Sequence, residues 1–115
     1  MTVISTETAS HYLWQQVCDG WPLVDHPGLS VKQERMPPGK AEDRHHHTLS
    51  RQFFYVLAGE LTMELDGTRH AISANQGIEV APGLSHQARN DSPGPVDFLV
   101  VSSPSAADDR ILENR

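Results

Sequence analysis

The chain has 115 residues, 37% of them hydrophobic, and a formal net charge of −6 at pH 7. That length fits one domain with a modest core, and the acidic balance argues against nucleic acid or an anionic membrane as partner. Cys18 is the single cysteine and cannot close an internal disulfide, no run approaches the roughly 20 apolar residues of a membrane span, and MTVISTETAS lacks the basic and apolar regions of a secretion signal, so a cytoplasmic protein is expected.

The sequence divides into an N-terminal arm of about 1–28, a β-rich body of about 29–102 and a polar tail, 103–115. The arm predicts a short helical turn near 9–17 and a strand near 20–25. The body is punctuated by HPGL, PPGK, LDGT, APGL and SPGP, with short Val-, Ile-, Phe- and Tyr-rich segments between them. These predict strands near 29–36, 41–47, 52–58, 60–65, 68–73, 77–80, 85–90 and 96–102, the pattern of an all-β sandwich or barrel. Asp66-Gly67 marks a hairpin. In ELTMELDG, Leu61, Met63 and Leu65 alternate with Thr62 and Glu64, so the first set faces in and the second out. VDFLVVSS is apolar on both parities, which predicts cover on both faces, one of them from a second copy in a homodimer or from the arm with Trp14 and Trp21. The tail SPSAADDRILENR is expected to lie on the surface or fray.

Seven histidines are the compositional oddity, and three of them are consecutive: His45, His46 and His47. An internal run this short is not a purification tag. On a strand, His45 and His47 point to one face and His46 to the other. His46, like His11, His26 and His70, is then an ordinary solvated side chain. Gln52, Phe54 and Val56 share a face of the next strand, and His86, Ala88 and Asn90 share a face further on. A closed barrel can turn His45, His47, Gln52 and His86 toward one interior site. Three imidazoles and an amide oxygen suit a divalent transition metal with open positions.

The spacing of these residues resembles the cupin superfamily. Its first motif is matched by Gly39, five residues, His45-x-His47, four residues, Gln52, six residues and Gly59, with Gln52 where most members carry Glu. The second is matched by Gly83, His86 and Asn90, with Asn75 in place of the first glycine and Ala81 in place of the proline. Asn tolerates a left-handed turn better than other side chains. The resemblance implies an all-β cupin jelly roll (a double-stranded β-helix barrel) in a single domain and commonly dimeric. It also implies one metal, of Mn, Fe, Ni or Zn type, held by His45, His47, Gln52 and His86.

Phe54, Met63, Ile78, Val80 and Phe98 are expected to line the remaining interior, with no inward Asp or Glu available as a proton-transfer base. Four neutral donors would leave the full charge of a divalent metal on the site and raise its Lewis acidity. That favours non-redox chemistry, as isomerase, lyase or ring-opening enzyme, on a small polar or sugar-like molecule. A cupin-type dioxygenase and a non-catalytic metabolite-binding cupin are the alternatives.

Overall fold

The computed structural model describes residues 2–113 and contains only strands and turns over that span. In chain order the strands are β1 (Tyr12–Trp14), β2 (Cys18–His26), β3 (Leu29–Met36), β4 (His45–His46), β5 (Arg51–Ala58), β6 (Glu60–Leu65), β7 (Thr68–Ser73), β8 (Gly77–Val80), β9 (His86–Arg89), β10 (Val96–Ser103) and β11 (Ile111–Leu112). They form a six-stranded sheet, β1-β2-β3-β10-β5-β8, and a five-stranded sheet, β11-β4-β9-β6-β7. All pairings are antiparallel. The fold is the jelly roll expected from the motifs.

The core fills the space between the sheets. Met36, Phe54, Val56, Val80, Val96 and Phe98 enter it from the first sheet, and Leu61, Met63, Ile72 and Ala88 from the second. Period-two patterning produces this directly: along β10, Val96, Phe98, Val100 and Ser102 are buried while the residues between them are half-exposed. The alternation in β6 also holds. Its outer pair is shielded as well: Glu64, although only 8% exposed, carries Arg44 as an ion-pair partner on the outer face of the sheet.

The turns use the residues that their dihedrals require. Asp66 and Gly67, at φ 48° and 88°, close the β6–β7 hairpin. Asn75, the substitute for a motif glycine, stands at φ 68°, in the left-handed region where Asn is tolerated.

Two expectations are corrected and a third is narrowed. The segment 9–17 is not a helical turn. Tyr12–Trp14 is a strand paired to β2, and the chain reverses through Gln15 and Gln16, both at positive φ. Strand 41–47 shrinks to His45–His46, with Ala41 making an isolated bridge to Arg89. The tail lies on the surface, the first of the two outcomes expected for it, and does not fray over 103–113. It crosses back as a strap and pairs β11 with β4, because the Asp109 carboxylate accepts the N–H groups of Thr48, Leu49 and Ser50, each at 2.8 Å.

Candidate metal centre

His45 and His86 face each other as register partners of β4 and β9. His47 follows β4 immediately and joins them. Ring centroids lie 4.3 Å apart for His45–His86, 4.9 Å for His45–His47 and 5.5 Å for His47–His86. One nitrogen from each ring falls within 4.8 Å of the others, and all three residues are buried. His46 is turned away, its Nδ1 3.2 Å from the Glu113 carboxylate, as alternation predicts.

Each ring is held by its Nδ1. A carbonyl oxygen only accepts, so Nδ1 carries the proton in every case. His45 donates to Asp43 O at 2.7 Å, His47 to Asp109 O at 2.7 Å and His86 to Leu84 O at 3.0 Å. That tautomer leaves the Nε2 lone pair free on all three rings. Nε2 of His47 and of His86 are buried atoms without a hydrogen-bond partner among the described residues. Burial lowers the pKa of all three, to about 3 at His45 and about 4 at His86. The trio is therefore neutral at physiological pH, the state a metal requires. Three buried imidazoles with fixed tautomers and unused lone pairs can hold a metal ion, and the carbonyl partners set their orientation.

Gln52 points inward from β5, 7% exposed. Its Nε2 donates to Ser102 Oγ at 3.0 Å, and its Oε1 is buried with no partner among the described residues. Such an orphaned acceptor is costly unless something occupies it. Asn90, the last motif residue, has a structural role: fully buried, it donates to the carbonyls of Met36 and Gly94 and secures the loop after β9.

His45, His47 and Gln52 line one wall of a cavity of about 250 Å³. Of the apolar residues expected there, only Phe54 lines it. Met63, Val80 and Phe98 lie in the closed core, and Ile78 packs against that core, because the two sheets converge there and side chains fill the interior. The expected lack of inward carboxyls is also overturned: Glu34 and Glu42 both line the cavity, with Tyr12, Lys32 and Arg110. Arg35, Arg51 and Arg89 instead pair on the surface with Asp97, Glu79 and Asp91.

Comparison with known proteins accords with this geometry. Residues 32–102 match the Cupin domain family. Among curated proteins, a 63-residue stretch is 36% identical to polyketide synthase CurC of Streptomyces cyaneus, covering 55% of this chain and 38% of that protein. A 53-residue stretch is 34% identical to protein SchB of Streptomyces halstedii, covering 46% and 38%. The chain thus spans little more than a third of the length of these relatives. Among solved structures, KdgF from Halomonas superposes with a TM-score of 0.83 at 18% identity, covering 94% of this chain and 97% of that one. The polyketide cyclase RemF from Streptomyces resistomycificus gives 0.80 at 16%, covering 91% and 80%. At these identities the structural likeness speaks for the fold alone, and the family match, which takes in more than half of the chain, carries the assignment: this chain belongs to the cupin family.

Proposed function

We propose that this cupin is a metal-dependent enzyme of non-redox type acting on a small carbonyl compound, as isomerase, lyase or cyclase. The metal ligands are His45, His47 and His86 through Nε2 and Gln52 through Oε1. The observation that carries this reading is the set of unused donor atoms: buried His47 Nε2, Gln52 Oε1 and His86 Nε2 have no hydrogen-bond partner among the described residues. A divalent metal held by these neutral donors keeps its full charge and supplies Lewis acidity toward a carbonyl or hydroxyl oxygen. The protein's own residues do the rest. Carbonyls of Asp43, Leu84 and Asp109 keep the imidazoles in one tautomer. Phe54 and Trp14 exclude water from one side of the cavity, and Lys32 and Arg110 present positive charge to an anionic or polarised substrate.

The names of the relatives agree with non-redox chemistry in part: a polyketide cyclase and a DMSP lyase stand among the structural neighbours. Two curated proteins called oxidoreductases, each 26% identical, keep the dioxygenase reading in view. The outer face of the six-stranded sheet supports a homodimer as the working assembly, through Leu99 and Val101 of β10 and the 41% exposed Phe53.

Elemental analysis of untagged protein tests the centre. One divalent transition metal per chain is expected, and a metal-free preparation of unchanged stability would sink the proposal. An oxygen electrode separates the chemistries: uptake in the presence of an enediol or diketone would move the assignment to a dioxygenase.

A further inference from the structure

Two carboxyl groups, those of Glu34 and Glu42, line the same cavity as His45 and His47 and lie outside the His45–His47–His86 cluster. Glu34 lies on β3 on the same parity as buried Ser30 and Met36, so it points between the sheets. Its Oε2 accepts the Tyr12 hydroxyl at 2.7 Å. Tyr12 reaches it from β1 by crossing β2 at Gly20, where any Cβ would fall 2.1 Å from the phenol ring, so the glycine is what lets the ring through. Glu42 approaches from the other sheet. Its N–H donates to Ala88 O at 3.0 Å, and its Oε2 accepts the Ala88 N–H at 2.8 Å. Each carboxyl is therefore tethered through one oxygen, while its Oε1 makes no hydrogen bond among the described residues. The same cavity is lined by the buried Gln52, whose unpartnered Oε1 independently marks it as a ligand site.

We infer that Glu34 and Glu42 are the proton-transferring pair of this site, one taking a proton from the carbon next to a substrate carbonyl and the other returning one to a second atom of the same molecule. This rests on the metal-dependent carbonyl chemistry proposed above. In the step a substrate C–H bond breaks, its electron pair becomes the C=C bond of an enol, and the carboxylate becomes a carboxylic acid. The O–H bond of the second carboxyl breaks and a new O–H or C–H bond forms on the substrate. No electrons leave the substrate, and the pair holds one proton before and after.

The electrostatics suit two roles. Burial raises the pKa of both groups, Glu42 to about 8, and the charge of Glu34 adds to the rise at Glu42, so the pair keeps a proton at neutral pH. Tyr12, Lys32 and Arg110 act in the opposite direction on Glu34, as do the Ala88 N–H and then Arg110 on Glu42, where Asp43 adds to the rise. Two titrating groups in contrasting settings are how one site offers an acid and a base together.

The test uses purified protein with its metal and two probes, pyruvate and dihydroxyacetone, in D2O, with exchange of their carbon-bound protons followed by NMR. Wild type is expected to accelerate exchange of at least one probe. Glu34→Gln and Glu42→Gln should each slow it by roughly 100-fold or more at unchanged metal content, the usual scale for a lost general acid or base. Both variants exchanging near the wild-type rate, while His45→Ala does not, would overturn the pair and leave the metal reading standing. A wild type that accelerates neither probe would overturn the carbonyl chemistry and the pair together. A second readout needs no turnover. Metal-free protein labelled with 13C-glutamate should show a protonated-carboxyl infrared band at pH 7 that Glu42→Gln removes. Its absence from wild type would overturn the pair whatever the probes do.

Discussion

His47 donates its Nδ1–H to the backbone carbonyl of Asp109, 2.7 Å away and 62 positions later in the chain. The same Asp109 receives, through its carboxylate, the three N–H groups of the loop that follows His47. One residue of the C-terminal strap thus fixes both a candidate ligand and the turn leading to Gln52. Asp109→Ala keeps that carbonyl but removes the carboxylate that anchors the strap, so metal binding should weaken, by no more than the roughly 10- to 100-fold found when a ligand's supporting hydrogen bonds are lost outright. Competitive chelator titration measures it. Unchanged affinity would mean that the strap merely covers the barrel.

The histidines also set a pH dependence. Their folded pKa values are lowered by burial, to about 3 at His45 and about 4 at His86, from an ordinary value near 6.5. At these rings the unfolded chain binds more protons than the folded one between those limits, so they contribute stability that rises with pH there, while Glu42, raised to about 8 by burial, contributes the opposite trend above its ordinary value of 4.5. The histidine contribution is therefore read as a difference: the Tm of metal-free wild type minus that of His86→Gln should grow as the pH rises from about 4 to 6.5. Thermal melts of both proteins decide it, and a difference that does not change with pH would contradict neutral burial of the rings.

Alternation makes a prediction about the third histidine of the run. His46→Ala should leave metal content near wild type, because its ring faces Glu113 outside the barrel. His45→Ala or His47→Ala should lower the content sharply. Equal losses at all three positions, read by elemental analysis, would mean that the register of β4 is wrong.

The grouping of His45, His47 and His86 was legible because alternation and motif spacing place them together, and the same spacing turns Gln52 inward. Glu34 was not. VKQERM is polar on both parities, and only pairing with β10, which sets Glu34 opposite Phe98, decides which residues face in. Glu42 sat in a stretch read as strand, where its hydrogen bond to Ala88 had no local signal. Tyr12 acts from a segment read as a helical turn, and Arg110 from a tail whose order depends on contacts with residues about 60 positions earlier. Long-range contacts of this kind leave no periodicity in the sequence.

The outer face of the six-stranded sheet carries the dimer prediction. Val31, Val101 and Phe53 stand side by side across β3, β10 and β5, and Leu99 and Tyr55 form the next row. Of the two arm tryptophans, Trp14 does not cover them, because it packs edge-on against Phe98 inside, 6.5 Å between centroids, and Trp21, register partner of Gln33, extends the Leu99–Tyr55 row within the sheet instead of lying over it. A half-exposed apolar row on a small domain is best buried by a second copy. Val101→Asp should turn a dimer into a monomer by light scattering at micromolar concentration without loss of metal. A monomeric wild type would reject the dimer.

Gln52 is where this chain departs from the usual motif. Its Nε2 is engaged by Ser102, so Oε1 is the atom left to meet a cation, and it is buried without a partner among the described residues. Gln52→Glu changes the side chain by almost nothing in shape and adds a negative charge. If Oε1 ligates, the carboxylate should bind a divalent metal more tightly, lower its Lewis acidity and raise the pKa of any water bound to it. Metal occupancy should therefore rise while proton exchange of carbonyl probes falls, two changes of opposite sign from one substitution. The Ser102 contact offers an internal control: Ser102→Ala frees Nε2 and should loosen the amide without adding charge, lowering affinity modestly. Chelator competition on wild type, Gln52→Glu and Ser102→Ala gives the order directly, with the Glu variant tightest and the Ala variant weakest. Identical affinities across the three would place Gln52 outside the coordination sphere and remove the charge argument for non-redox chemistry with it.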